Sequence, residues 1–372
     1  MTNDKELERI NNLSQQLEEI YKPLRVEEYN APLNRQEERE RLRAICSVGN
    51  SYNPQFTYRP FPVEMCKPLQ QFIRELHPER NAWEHLLFKD AKQMLDTLES
   101  ILSHDPGQIT AVSIAADGLP TKELVQEAYR EISEINASPE DETITAEEAA
   151  YIMRDALDSV ELFDWEILID EVMSASMMVR SIEKKVKIRK GKKFSPHAVK
   201  RLLVHEIGTH VFRYTNGARQ KIHLLRLGLA GYMMTEEGMA TYHEEHYNLR
   251  DLVTARRYAL RVIAAYLSLN HSFLDVFTEI LKYTDFDDAF DIVSRSKRGF
   301  TDTGAYGTHI KDKVYFEGFR TLSKYLQENP ADYPLLMCGK VSLETVSLLK
   351  ITNDANLVVP PKYLPELIKF PY

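Results

Sequence analysis

Cysteine is scarce in this chain: three residues among 372, Cys46, Cys66 and Cys338. The set is odd in number, widely spaced and without a CxxC pair, which excludes a disulfide frame and points to a reducing compartment. Long apolar runs are missing too. No stretch reaches the ~18 residues needed to span a bilayer. The charged, helix-patterned residues 1–8 lack the apolar core of a signal peptide. A cytoplasmic protein that does not cross a membrane is expected. Positive charge is in deficit, with 47 Lys and Arg against 56 Asp and Glu and a formal net charge of -9. That balance provides no global basic field for nucleic acid or an anionic membrane. Internal repeats and low-complexity segments are also absent.

What remains is ordinary globular material, 43% hydrophobic and 28% charged, long enough for a large core in two lobes. Leu7, Ile10, Leu13, Leu17 and Ile20 recur at three- and four-residue spacing, which predicts an amphipathic helix ending near Pro23. A second charged helix is expected over 34–45. Prolines 54, 60 and 62 make 46–65 an extended connector. Residues 68–104 read as helical, with His77, His85 and His104 as isolated surface or satisfied side chains. The short apolar run at 109–114 fits a strand or buried coil. Residues 119–136 read as helix. Thr145, followed by Glu147 and Glu148, caps another that runs to about Leu157. Then the period changes. Residues 165–170, 176–181 and 185–189 read as strands, the last alternating polar and apolar with period two. The basic strip 184–193 reads either as a solvated edge that blocks aggregation or as an attractive wall for an acidic substrate. Helices follow over 251–283, 284–296 and 313–326, with a loop at 298–304. The fold class expected is α+β, dominated by helix, with a small sheet just before the central helix. Residues 1–150 form a mostly helical region packing on a core built from 151–372.

That central helix opens at Ser195 as N-cap with Pro196 in its first turn, and it carries His205, Glu206, Ile207, Gly208, Thr209 and His210. Residues four apart on a helix are offset by about 40°, so HExxH histidines share a face; residues five apart are offset by about 140°. His205 and His210 are five apart, so a regular helix would keep them from one metal ion. A turn widened by one residue would realign them, and Gly208 lowers the cost of such a distortion. A π-type turn between the histidines is therefore predicted. A hydrolytic zinc centre needs three protein ligands, an open position and a base beside the water. His205 and His210 supply two ligands and Glu206 the base. The third is expected from a second helix at Thr235, Glu236, Glu237, Gly238, Met239 and Ala240, with Thr235 as N-cap, Glu237 as ligand and Glu236 as its competitor. A further pair, His243 and His246, reads as lying on the exposed side of that second helix, with Glu244 and Glu245 between them.

The HEIGTH and TEEGMA stretches resemble the microtubule-associated tyrosine carboxypeptidase family and its bacterial relatives, the flavohemoglobin expression-modulating QEGLA-motif proteins. Phe212, Arg213, Asn216, Gly217, Ala218, Arg219 and Gln220 add to the resemblance, as do Lys297, Arg298, Gly299, Thr301, Asp302, Thr303, Lys311, Asp312, Tyr315, Gly318 and Gly339 to Ser342. It covers about 150–350, with a weaker echo near Asn53 and Pro54. Glu236 and Met239 depart from the bacterial motif without touching the proposed ligands. The resemblance implies a gluzincin-like metallopeptidase core holding one Zn2+ on His205, His210 and Glu237, with Glu206 catalytic. It also implies removal of a C-terminal residue, tyrosine or another aromatic, from a peptide or protein. A carboxypeptidase must seat a free carboxylate, best done by an arginine. Arg298, Arg213, Arg219 and Arg189 are candidates, and Tyr315 is a candidate donor to the oxyanion. A metal-dependent hydrolase of another amide, and a regulatory protein with a structural metal site, are the competing readings.

Overall fold

A computed structural model describes residues 4–135, 140–171, 173, 175–228, 230–351 and 357–370. The N-terminal stripe forms the helix Asp4–Tyr21, which buries Ile10, Leu13 and Leu17. Helices Arg35–Ser47, Lys67–Glu75 and Ala82–Ser103 follow where periodicity predicts them. The connector between them is extended, and its Gln55 bridges to Asp302. The run at 109–114 is neither strand nor coil. It lies inside the helix Pro106–Asp117, whose N-cap Asp105 accepts from the Gln108 amide. Its β-branched Ile109, Thr110 and Val112 gave the strand signal, but a capping aspartate and a first-turn proline start a helix there. Lys122–Glu134 is helical as expected, and Asn136, placed in that helix by periodicity, lies outside the described residues. Thr145 caps Ala146–Ser159 with a full capping box to Glu148.

The sheet has three strands, β1 (Glu166–Asp170), β2 (Met177–Arg180) and β3 (Lys185–Arg189), in the order β1-β3-β2. β1 runs parallel to β3 and β2 antiparallel to it. β3 alternates as predicted, with Val186 and Ile188 fully buried, but it is the central strand and not an edge. Most lysines of the basic strip around it are engaged as well. Lys187 pairs with Asp170 at 2.8 Å, Lys184 with Asp164, Lys190 with Glu171 and Lys192 with Glu142. The basic strip is thus largely neutralised by the chain's own carboxylates.

Trp165, just before β1, is buried edge-on against Tyr214 at 5.8 Å between ring centroids. This contact ties the sheet to the central helix. That helix is continuous in three pieces, Pro196–Leu202, Leu203–Val211 and Phe212–Ala218, and all nine residues of the middle piece are buried. One apolar core surrounds it, drawing on residues from Ile10 to Ile368. A second core gathers around Leu252–Ser268, with Phe56, Phe273 and Phe290 at its centre. The described part of the C-terminal segment is held down by the central helix. The Asn216 amide donates to the carbonyls of Met337 and Tyr363, and Gln220 donates to those of Cys338 and Val359. No helix among the described residues is long and apolar enough to cross a membrane.

Candidate metal centre

The middle piece of the central helix, Leu203–Val211, is a π-helix. The five-residue register closes at both ends of the histidine pair. The Phe212 amide donates to the Ile207 carbonyl, and the Thr209 hydroxyl donates to the Val204 carbonyl at 3.1 Å. Widening by one residue per turn turns His205 and His210 onto one face, with ring centroids 5.0 Å apart. Gly208 has a second role beside the one its sequence position implied. A Cβ there would come within 2.8 Å of the Ile368 Cδ1 and 3.4 Å of the Pro365 Cβ. The glycine thus makes room for the C-terminal turn Pro365–Leu367.

The second helix is Tyr232–His246, N-capped by Gly231 in the left-handed region at φ 83°. Thr235 therefore lies a turn inside it and does not cap it; its hydroxyl accepts from the Leu343 amide instead. Glu237 reaches the histidines. Its Oε2 lies 3.5 Å from His205 Nε2 and 3.7 Å from His210 Nε2, and one donor atom from each residue lies within 4.8 Å of the others. Three donors of a tetrahedral zinc ion, at about 2.0–2.1 Å from it, stand ~3.4 Å apart. The same Oε2 is buried without a hydrogen-bond partner, a costly arrangement for a carboxylate unless something cationic faces it. The donor set, two imidazoles and a carboxylate, suits zinc. The residues present fit the ion.

Each imidazole is aimed by a carboxylate on its other nitrogen. His205 Nδ1 is 2.7 Å from Glu244, and His210 Nδ1 is 2.8 Å from Glu236. Both carboxylates are anchored in turn. Arg201 holds Glu244 at 2.7 Å, while Arg213 holds Glu236, with Lys340 at 3.5 Å. Glu236 therefore does not compete for the centre; it orients the second histidine. Burial pulls the His205 pKa down, but the carboxylates of Glu237 and Glu244 outweigh that and lift it to about 10. Burial pushes Glu236 up, and Arg213 and Lys340 more than reverse the shift.

His243 and Glu244 are buried, contrary to the exposed side read for them; only Glu245 and His246 of that set face solvent. The helix is enclosed on nearly every side, so its polar residues point inward. His243 bridges Thr209, at 2.8 Å, and the Tyr333 hydroxyl, at 3.0 Å. Burial and the surrounding cations depress its pKa to about 3, so it stays neutral and supports the π-turn.

Glu206 is 5% exposed and makes no hydrogen bond or ion pair among the described residues. It is the carboxylate of this group left free to take a proton. Arg213 is fully buried, and its nitrogens donate to Glu236 and to the carbonyls of Leu336 and Val341. Fully buried, with all three nitrogens engaged inside the fold, it is out of a substrate's reach, which corrects its candidacy. The helix that carries Tyr315 crosses the Glu237 helix at a pair of glycines. A Cβ on Gly238 would meet the carbonyl carbon and oxygen of Gly318 at 2.5 Å, so Tyr232–His246 and Val314–Glu328 pack backbone to backbone. Tyr315 stands one turn before Gly318. Burial raises its phenol pKa well above the usual value, and the Glu237 charge raises it further. Its ring stacks on Tyr258 at 4.6 Å and 12°, a partner the sequence reading missed.

A family profile for the microtubule-associated tyrosine carboxypeptidases matches residues 46–371. The chain belongs to this family. The match reaches about a hundred residues further toward the N-terminus than the motifs alone. Microtubule-associated tyrosine carboxypeptidase 1 from Homo sapiens is 34% identical over 175 residues, 45% of this chain and 36% of that protein. The Rattus norvegicus protein of the same name is 31% identical over 175 residues, with the same coverage. MATCAP2 from Homo sapiens is 34% identical over 175 residues, 44% of this chain and 32% of that protein. The matched stretch thus spans about a third of the length of these family members.

Proposed function

We propose that the protein is a zinc-dependent carboxypeptidase with a gluzincin-like centre that removes a C-terminal residue, tyrosine or another aromatic, from a peptide or protein. The convergence of His205, His210 and the orphaned Glu237 oxygen carries this reading, and the printed names of the family members support the exopeptidase part. Zinc, held by those three residues, would supply Lewis acidity toward water and the scissile carbonyl. Glu206 takes the proton of the attacking water and returns it to the leaving amine. Tyr315 donates its phenol hydrogen to the carbonyl oxygen as negative charge builds there. Glu244 and Glu236 keep both imidazoles in the tautomer that leaves Nε2 facing the ion.

The test combines metal analysis with digestion of a peptide library read by mass spectrometry. Expected are one zinc per chain and loss of single C-terminal residues. Internal cuts, or cleavage of a non-peptide amide alone, would point to another amide hydrolase. Metal without any turnover would point to a structural site in a regulatory protein. Glu206→Gln should keep the zinc and lower kcat by at least about 100-fold, the scale of a lost general base; unaltered turnover in that variant removes Glu206 from the mechanism.

A further inference from the structure

Three guanidiniums, those of Arg261, Arg295 and Arg298, act on one buried carboxylate, Asp312, close to Tyr315. Arg295 takes that carboxylate in a fork, one arm at 2.8 Å. Arg261 and Arg298 have no carboxylate within 4.0 Å among the described residues, and Arg261 Nε is buried without a hydrogen-bond partner. Both are only partly exposed. Burial, followed by the like charge of Arg295, lowers both pKa values, Arg298 to about 10. Asp312, already forked by Arg295, offsets these two cations only in part, and charges in a poorly solvated place are costly unless an anion joins them.

Their supports are rigid. Arg261 projects from Leu252–Ser268 over the stacked tyrosines, its guanidinium carbon 5.4 Å from the Tyr258 ring centre and 5.5 Å from that of Tyr315. Arg298 sits between two clamped residues. Lys297, fully buried, donates to the carbonyls of Ser268, His271, Ala305 and Gly307 at 2.8–3.2 Å. The Gly299 amide donates to the Tyr58 hydroxyl at 3.0 Å, and its carbonyl is 2.9 Å from His104 Nδ1. Gly299 needs its positive φ of 89°, and a Cβ there would press on Ile109 at 3.0 Å. Thr110 and Ser113 accept from the amides of Thr308 and Ile310 and hold the far end of the loop. The loop is built to present Arg298, not to move it.

We propose that Arg261 and Arg298 together seat the free α-carboxylate of the substrate, beside the Tyr258–Tyr315 stack that Arg261 covers. The proposal rests on the carboxypeptidase reading and gives it its exo specificity. A scissile carbonyl and the terminal carboxylate are one residue apart, and Tyr315 is the side chain that feels both ends: Arg261 covers its ring at 5.5 Å and the Glu237 charge acts on its phenol. Two forks can bind both carboxylate oxygens. Arg295 is consumed by Asp312 and Arg213 by Glu236, so neither serves.

The experiment measures binding of a fluorescein-labelled hexapeptide ending in tyrosine, made as the free acid and as the C-terminal amide, to the zinc-loaded Glu206→Gln chain. The acid should bind at least about 30-fold tighter, the loss that follows from leaving one partner of a buried charge pair alone. Arg261→Gln and Arg298→Gln should each erase most of that preference while amide affinity and zinc content stay put. Lys at either position should restore part of it. An acid preference that survives in both Gln variants overturns the seat and leaves the carboxypeptidase reading standing. No acid preference in the parent chain overturns both.

Discussion

His205 and His210 show how far a residue's chemistry depends on what stands behind it. Each presents Nε2 to Glu237 because its Nδ1 is engaged by a carboxylate, and each carboxylate is held by an arginine. The ligands themselves were legible as residue types at a spacing. Glu244 was recoverable too: it follows Glu237 by seven residues, about two turns, and so shares its face. It was missed because a charged residue near the end of a helix reads as exposed, and a helix buried all round gives no amphipathic contrast to correct that. Glu244→Gln and Glu236→Gln should each weaken zinc binding about 10- to 100-fold without removing a direct ligand. Competition against a chromophoric chelator measures this. Affinity equal to the parent's in both variants would reduce the two carboxylates to packing.

At the scale of elements, periodicity found the N-terminal helices, the three strands and the central helix, and the five-residue histidine spacing predicted the π-turn that the backbone adopts. Two things escaped it. A short β-branched run was read as extended although Asp105 and Pro106 start a helix. Strand order was also unreadable, since alternation reports which face of β3 is buried and not which strands flank it. The contact that matters most to the site, Gly238 against Gly318, is invisible without the fold. There the obstacle to a side chain is backbone, which cannot rotate away, whereas at Gly208 it is the flexible end of Ile368. Gly238→Ala should therefore part the two helices, cost about 3 kcal/mol in urea unfolding and displace Tyr315 from Glu237. Gly208→Ala should cost about 1 kcal/mol. Equal losses at the two positions would mean that the glycine crossing does not set the helix separation.

Across the whole molecule, the centre joins parts of the chain that share no local structure. The histidines come from the π-segment at the middle of the first core, Glu237 from a helix whose other face abuts Val314–Glu328, and the C-terminal turn rests on Gly208. These elements meet around a carboxylate oxygen with no hydrogen-bond partner of its own, 3.5 and 3.7 Å from two imidazole nitrogens. A cation bound there would bind the folded chain and not the unfolded one, so it should raise stability by the logarithm of its saturation, about 4 kcal/mol at a thousandfold excess over its Kd. Chelation should accordingly lower the thermal midpoint, and added zinc should restore it in proportion to log concentration. In Glu237→Gln the zinc-dependent gain should shrink, because a neutral amide replaces the anionic ligand. Calorimetric scans of both chains with and without zinc decide it. A midpoint indifferent to zinc in the parent would mean that the three donors stand together for some reason other than a metal.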